Sequence, residues 1–191
     1  MTKLCNQPKG DRPKYEPHEA GTFAAACVDN FTITKPNPYK GQPNRFDPGK
    51  IDNRETLTQV CIGFITTETI EIDGAMKPRY TSFWAPVSWH EKSKLRQTIA
   101  KWVPEFAMND DVDLDELIGR PCMVSVTNYT KRDGSVGHGV DVIATPLKRL
   151  QCPAIPADFE RHKDREARRA AEGGTPQVDP QADPSDDSLP F

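Results

Sequence analysis

The sequence predicts a mainly β protein in which five strands form a small barrel, one helix lies between the third and fourth strands, and a disordered tail follows. Three observations predict this fold class. Apolar residues alternate with period two in several segments between residues 20 and 150, recur with helical spacing in one segment, and become sparse after residue 152. A chain of 191 residues with 36 % hydrophobic content therefore suits one packed core with polar ends.

Composition divides the chain into four parts. Residues 1–19 are rich in Lys, Pro and Asp and predict an irregular N-terminal arm. Residues 20–152 predict the barrel domain, and residues 153–173 predict a polar linker with helical propensity. The linker has no apolar stripe, so we expect a helix within it to be solvated or marginal. Residues 174–191 have the Pro, Gly, Asp and Gln content of a disordered acidic tail.

A long loop separates the first two predicted strands. Residues 21–34, GTFAAACVDNFTIT, predict the first strand because they are small and apolar and become β-branched towards the end. Residues 35–54 carry four prolines and two glycines and predict an irregular loop, since proline cannot donate to a sheet ladder. Residues 56–72 alternate clearly and predict the second strand.

A turn at Asp73-Gly74 leads into the third predicted strand, at about residues 78–85. Successive residues of a strand point to opposite faces, so only one of Phe83 and Trp84 can lie inside the barrel.

The helix comes next. Ser88 and Glu91 have capping-box spacing and predict its start. Its apolar stripe has spacing i, i+4, i+7 and i+8, and it consists of Leu95, Ile99, Trp102 and Val103. Pro104 ends the helix. We expect Trp102, Phe64 and Phe106 to belong to the core, because they join the helical and strand stripes.

The last two strands form a hairpin. Residues 121–130, PCMVSVTNYT, predict the fourth strand, KRDGSVGHG predicts a glycine-rich turn, and VDVIATPL predicts the fifth strand. This order of elements is typical of the OB-fold, a partly open Greek-key barrel. A rearranged small β-barrel is the alternative.

Charge and cysteine content favour a cytoplasmic protein without selecting a ligand. The net charge is −3, but residues 174–191 alone contribute four Asp, so the body of the chain is nearly neutral. The five cysteines are scattered without a CxxC pair, which is typical of free thiols in a reducing compartment. The N-terminus lacks an apolar signal core and no segment has membrane-spanning length, so no membrane partner is expected.

No catalytic constellation stands out, and we expect no enzyme activity, cofactor or metal. One acidic cluster could suggest a two-metal nuclease, and it consists of Asp110, Asp111, Asp113, Asp115 and Glu116. Acidic residues are common where helices start, because they favour the helix dipole, so the capping interpretation is preferred. The glycines of the last hairpin link two strands without a following helix and therefore form no phosphate loop.

Binding signals are stronger. OB-folds bind nucleic acid across strands two and three, between the loops that join strands one to two and four to five. Both of those loops carry basic and aromatic residues here, and single-stranded DNA requires cations for phosphates and aromatic faces for bases. The candidate DNA-binding residues are Lys35, Tyr39, Lys40, Arg45, Arg79, Tyr80, Trp84, Tyr129, Lys131 and Arg132.

The chain ends in DDSLPF, which resembles the acidic tip of bacterial single-stranded DNA-binding proteins. The segments SKLRQTIAKW and DLDELIGRPCMVSV look similar to those of phage-encoded OB-fold DNA-binding proteins. The resemblance implies a tip that docks on replication, recombination and repair enzymes. Phe191 would fill an apolar slot while its carboxylate meets a basic residue. The partner-binding residues implied are Asp186, Asp187, Leu189, Pro190 and Phe191.

This sequence departs from the pattern at Ser188, which interrupts the acidic run, and it lacks the usual glycine- and glutamine-rich spacer. The expected function is to coat and protect single-stranded DNA during replication, recombination or repair, and to recruit proteins through the tip. For a phage protein, the location is the host cytoplasm. The alternatives are a duplex-binding or strand-annealing recombination protein, a metal-dependent nuclease, and an interaction module without DNA affinity. The free edges of a partly open barrel would permit a homodimer.

Overall fold

Five long strands form one antiparallel sheet in the computed structural model of the protein. Residues 16–37, 39–44, 47–72, 74–109, 112–131, 134–147 and 151–172 are described. The strands are β1 (Gly21–Pro36), β2 (Pro43–Asn44), β3 (Asp47–Ile51), β4 (Thr56–Ile72), β5 (Ala75–Pro86), β6 (Pro121–Thr130) and β7 (Val136–Ala144). The helices are α1 (Lys94–Trp102) and α2 (His162–Ala171), and short 3-10 turns span Pro104–Met108 and Leu114–Leu117.

The sheet has the order β5-β4-β1-β6-β7, and α1 follows the third long strand, as predicted. The mainly β class and the five strands are therefore confirmed. β5 and β7 are the two outer strands, and no strand pairing joins them within the described part of the chain. Their edges nevertheless approach, because the His138 side chain hydrogen-bonds to the Tyr80 backbone.

The core lies between the inner face of this curved sheet and α1. Phe64 and Phe83 are fully buried there, and Phe106 and Trp102 are almost fully buried. The rings of Phe64 and Trp102 meet edge to face at 5.8 Å, and the Trp102 indole donates to the Pro121 carbonyl at 2.9 Å. The prediction of Trp102, Phe64 and Phe106 as core residues is confirmed, and Phe83 rather than Trp84 is the inward residue.

The predicted start of the helix is wrong by several residues. α1 is capped by Ser93, whose hydroxyl accepts the Arg96 amide at 3.2 Å, and not by Ser88. The residues before it form a separate turn, because the Ser93 amide donates to the His90 carbonyl and the Lys92 amide donates to the His90 ring. A helix through this turn would lose both bonds, so the capping-box spacing alone is misleading here.

The proline-rich segment between β1 and β4 contains a small hairpin, β2–β3, where its prolines and glycines predict an irregular loop. Gly41 turns the chain with φ of 81°, a left-handed conformation that glycine adopts without strain. Asn37 closes the base of the hairpin, because its amide donates to the Arg54 carbonyl and its side-chain oxygen accepts from the Tyr39 amide. The segment therefore contains a second, two-stranded sheet, separate from the five-stranded one, and most of its described residues are exposed.

Residues 156–165, which we call the strap, pack against the sheet. Phe159 contacts a small apolar cluster on β1 and β4, formed by Ala26, Val28 and Ile65. The expectation of a helix surrounded by solvent is therefore not met at its N-terminal end, where His162 is buried. Within the described residues, no helix is long and apolar enough to cross a membrane.

Candidate nucleic-acid interface

The side of β1, β4 and β5 that points away from the core, which we call the outward face, carries a row of aromatic residues. Strand pairing places Phe31, Cys61 and Trp84 side by side across the three strands. The rings of Phe31 and Trp84 meet edge to face at 5.7 Å and 86°, and the indole N–H donates to the Ser82 hydroxyl at 3.0 Å. Trp84 is half-buried, and these two contacts hold its ring in one orientation.

Basic residues lie at one end of the outward face. Lys35 follows Phe31 by four residues on β1 and shares its face by strand alternation. Tyr39 and Lys40 belong to the hairpin segment beyond it, where Tyr39 is 38 % exposed and Lys40 forms an ion pair with Glu55. Lys35 lies at the end of β1, and the turn that contains Tyr39 and Lys40 follows within five residues, while Arg45 lies outside the described residues.

Tyr80 lies at the other end of the outward face, where its ring packs between Gly63 and Phe159. Its ring crosses Gly63, where an added Cβ would lie 2.8 Å from the ring carbons, and its hydroxyl hydrogen-bonds to the Cys61 sulfur. Phe159 of the strap stacks on it with ring centroids 6.5 Å apart. Burial raises the pKa of Tyr80 well above its ordinary value. Tyr80 is consequently covered by the strap, in contrast to the solvent-facing ring that base stacking requires.

Arg79 is part of a buried ion network and not of the outward face. Its side chain is 11 % exposed, and its Nε lies 3.1 Å from a carboxylate oxygen of Glu68. The other Glu68 oxygen lies 2.6 Å from Nδ1 of the fully buried His18, and Arg79 also donates to the Glu16 carbonyl. Through these contacts, Arg79 holds residues 16–18 against the sheet.

Tyr129 and Lys131 lie at the seam where the β7 edge approaches β5. An added Cβ on Gly137, which pairs with Tyr129, would lie 2.6 Å from the Tyr129 ring and 3.0 Å from Cε of Lys131. A Cβ on Gly139 would lie 3.8 Å from both the Tyr129 ring and the Ser82 carbonyl of β5. Tyr129 therefore lies beside the strand that carries Trp84. The neighbouring Arg132 is outside the described residues.

The strap is the feature that sequence reasoning missed. The His162 ring stacks on Phe31 with centroids 3.8 Å apart and planes 10° apart. The His162 backbone amide donates to the fully buried Asp29 carboxylate at 2.7 Å, and Arg161 Nε lies 3.7 Å from the same side chain. Burial raises the pKa of Asp29. Two isolated rings in a polar segment, Phe159 and His162, were the available signal.

Asp115 holds the strap from the other side. Its carboxylate accepts from Arg161 at 2.6 Å, from Lys163 at 2.9 Å and from the Asn30 amide at 3.0 Å. Asp113 accepts the Asp115 amide at 2.8 Å as the cap of the short 3-10 turn, so its capping role is confirmed. No group of acidic, histidine or cysteine residues suited to a metal occurs in the described part of the chain, and Asp110 and Asp111 lie outside it.

The ion pairs of Asp115 predict a loss of stability in acid. Lys163, Arg161 and Asn30 lower the pKa of this carboxylate below its ordinary value, so its contribution is present above about pH 4 and is lost as the pH falls through the folded-state pKa. We expect the melting-temperature difference between wild type and Asp115→Asn to shrink between about pH 6 and about pH 2.5. A difference that stays constant over this range would contradict the assignment.

No family model and no curated protein matches the chain.

Proposed function

We propose that the protein binds single-stranded DNA with little sequence preference across the outward face of β4 and β5. The observation that carries this proposal is the partly exposed Trp84, which is held edge to face against Phe31 on the same sheet face as Lys35. An aromatic ring on an antiparallel sheet offers a base a stacking surface, and nearby cations follow the phosphates.

The proposed fold in finer detail is an OB-fold whose barrel closes along the seam between β5 and β7. Three observations support it: the strand order, the helix after the third long strand, and the closeness of the two edges at the seam. There the His138 side chain hydrogen-bonds to the Tyr80 backbone, and a Cβ added at Gly139 would lie 3.8 Å from the Ser82 carbonyl. In this fold, strands two and three with their flanking loops bind oligonucleotides. Here those strands are β4 and β5. Tyr129 and Lys131 lie next to the second flanking loop, which joins β6 to β7.

The path of the DNA strand that we propose avoids Tyr80 and Arg79. Both residues were sequence candidates, but Tyr80 stacks with Phe159 and Arg79 pairs with Glu68. The strand would instead run from the hairpin end, past Trp84, to the seam beside Tyr129. The protein would act without catalysis, and its C-terminal tip, residues 186–191, would recruit replication, recombination or repair proteins. The tip lies outside the described residues.

Fluorescence anisotropy on labelled oligo-dT and the matched duplex tests the proposal. We expect wild type to bind oligo-dT more tightly than duplex, with an affinity that falls as salt is added. Trp84→Ala is expected to weaken oligo-dT binding by about 10-fold or more, because stacking contributes about 1–3 kcal/mol per base. A chain ending at Ser185 should bind at least as tightly as wild type, since it lacks only the acidic tip.

Trp89→Ala is the matched control. Trp89 packs partly against the core and donates to the Asn109 carbonyl, so its loss should lower stability and leave DNA affinity within about 2-fold. Equal affinity for oligo-dT and duplex would favour the duplex-binding or strand-annealing alternative. Degradation of either DNA once magnesium is added would favour the nuclease. The absence of any salt-sensitive binding by wild type would overturn the DNA proposal.

A further inference from the structure

The strap contacts the outward face where the aromatic row begins, so it reaches the proposed DNA site from outside the sheet. His162 stacks on Phe31 with ring centroids 3.8 Å apart, and the rings of Phe31 and Trp84 meet edge to face at 5.7 Å. The three rings therefore form a continuous chain from the strap to the proposed stacking residue. Trp84 has two fixed neighbours in this arrangement, Phe31 and the Ser82 hydroxyl.

The charges beneath the strap indicate whether it helps or hinders an anionic ligand. Asp29 and Asp115 both lie under or beside it, and a strand of phosphates would be repelled by either carboxylate. Arg161 pairs with both of them, and Lys163 pairs with Asp115. Removing the strap would therefore uncover negative charge next to the DNA path. A strap that merely blocked the site would be expected to cover cations instead.

We propose that the strap is part of the nucleic-acid site, with His162 as a positioning residue that holds Phe31 and, through it, the Trp84 ring in the orientation that stacks on a base. This inference rests on the proposed function. His162 acts through Phe31 and does not itself contact the ligand. Its own place is fixed by the bond from its backbone amide to Asp29, which a side-chain substitution leaves intact.

His162→Ala and His162→Phe separate a positioning role from a structural one. The first removes the ring, and the second keeps a flat ring against Phe31. We expect His162→Ala to weaken oligo-dT binding by about 5-fold or more and His162→Phe to restore it to within about 2-fold of wild type. His90→Ala serves as the control, because His90 is exposed and its ring only accepts the Lys92 amide in the turn before α1.

An abasic oligonucleotide of equal length provides the second readout. An abasic strand has phosphates but no bases, so it cannot stack on Trp84. We therefore expect His162→Ala and wild type to bind the abasic strand equally well. Equal weakening on the abasic and dT strands would mean that the strap acts only on overall structure, and it would overturn the inference. Unchanged dT binding by His162→Ala, alongside weakened binding by Trp84→Ala, would also overturn it while the proposed function stands. If wild type binds neither strand, the proposed function itself fails.

Discussion

A chain that ends at Cys152 is expected to lose about 4 kcal/mol of unfolding free energy relative to a chain that ends at Glu172. The shorter chain has the C-terminal boundary that composition predicts, but it removes the strap. Ala26, Val28 and Ile65 would be uncovered only in part, because Tyr80 still packs against them, so the loss is less than the about 1.5–3 kcal/mol that full burial of a Val or Ile side chain contributes. The hydrogen bond to the charged Asp29 adds about 1.5–3 kcal/mol.

Urea unfolding followed by far-UV circular dichroism measures this difference. The chain ending at Glu172 should match full-length protein, because it keeps every contact of the strap. Equal midpoints for the chains ending at Cys152 and Glu172 would contradict the docking of the strap. If the shorter chain does not fold, Phe159→Ala in the full-length protein provides a graded version, with an expected loss of about 2 kcal/mol.

Gly63→Ala is expected to destabilise the protein by about 2 kcal/mol, although alanine normally suits a strand better than glycine. An added Cβ would lie 2.8 Å from the Tyr80 ring, so the ring would have to rise from the sheet. Raising it would break its hydrogen bond to Cys61 and press it against Phe159. The cost should therefore depend on Tyr80 and not on the backbone at Gly63.

A double-mutant cycle tests this dependence. In the Tyr80→Ala background, Gly63→Ala should cost less than about 0.5 kcal/mol, because no ring remains above the glycine. Gly139→Ala is the matched control in a neighbouring position, since a Cβ there meets its nearest atoms at an ordinary 3.8 Å. A similar cost for Gly63→Ala with and without Tyr80 would show that the ring is not the cause.

Local patterns predicted much of the fold, because period and burial are properties of neighbouring residues. The stripe of Leu95, Ile99 and Trp102 identified the face of α1 that packs on the sheet. Strand alternation predicted that Phe83 and Trp84 point to opposite faces of the sheet, but it did not predict which ring enters the core. The boundary of α1 was less predictable, since Ser88 and Ser93 are both good capping residues and only the intervening turn selects Ser93.

The candidate site was predicted less completely than the fold. Lys35, Tyr39 and Lys40 were predicted in one segment, and the structure places Lys35 in β1 and the other two in the turn that leads to the hairpin β2–β3. Tyr80 and Arg79 are also residue types that bind DNA. In the structure, however, the Tyr80 ring stacks on Phe159 and the Arg79 guanidinium pairs with Glu68. Residue type and strand face alone do not reveal such partners, which come from distant segments.

Periodicity in the chain already indicated the β class, the number of long strands, the buried stripe of the helix and which residues of a regular strand share a face. These features depend on contacts within a few residues, and their periodicity is visible in the chain. The part of the outward face that stays open depends on a long-range contact, because the strap reaches β1 through the bond between His162 and Asp29, which are 133 residues apart. A contact of that separation depends on how the whole sheet curves and where its C-terminal segment returns, so no local pattern specifies it.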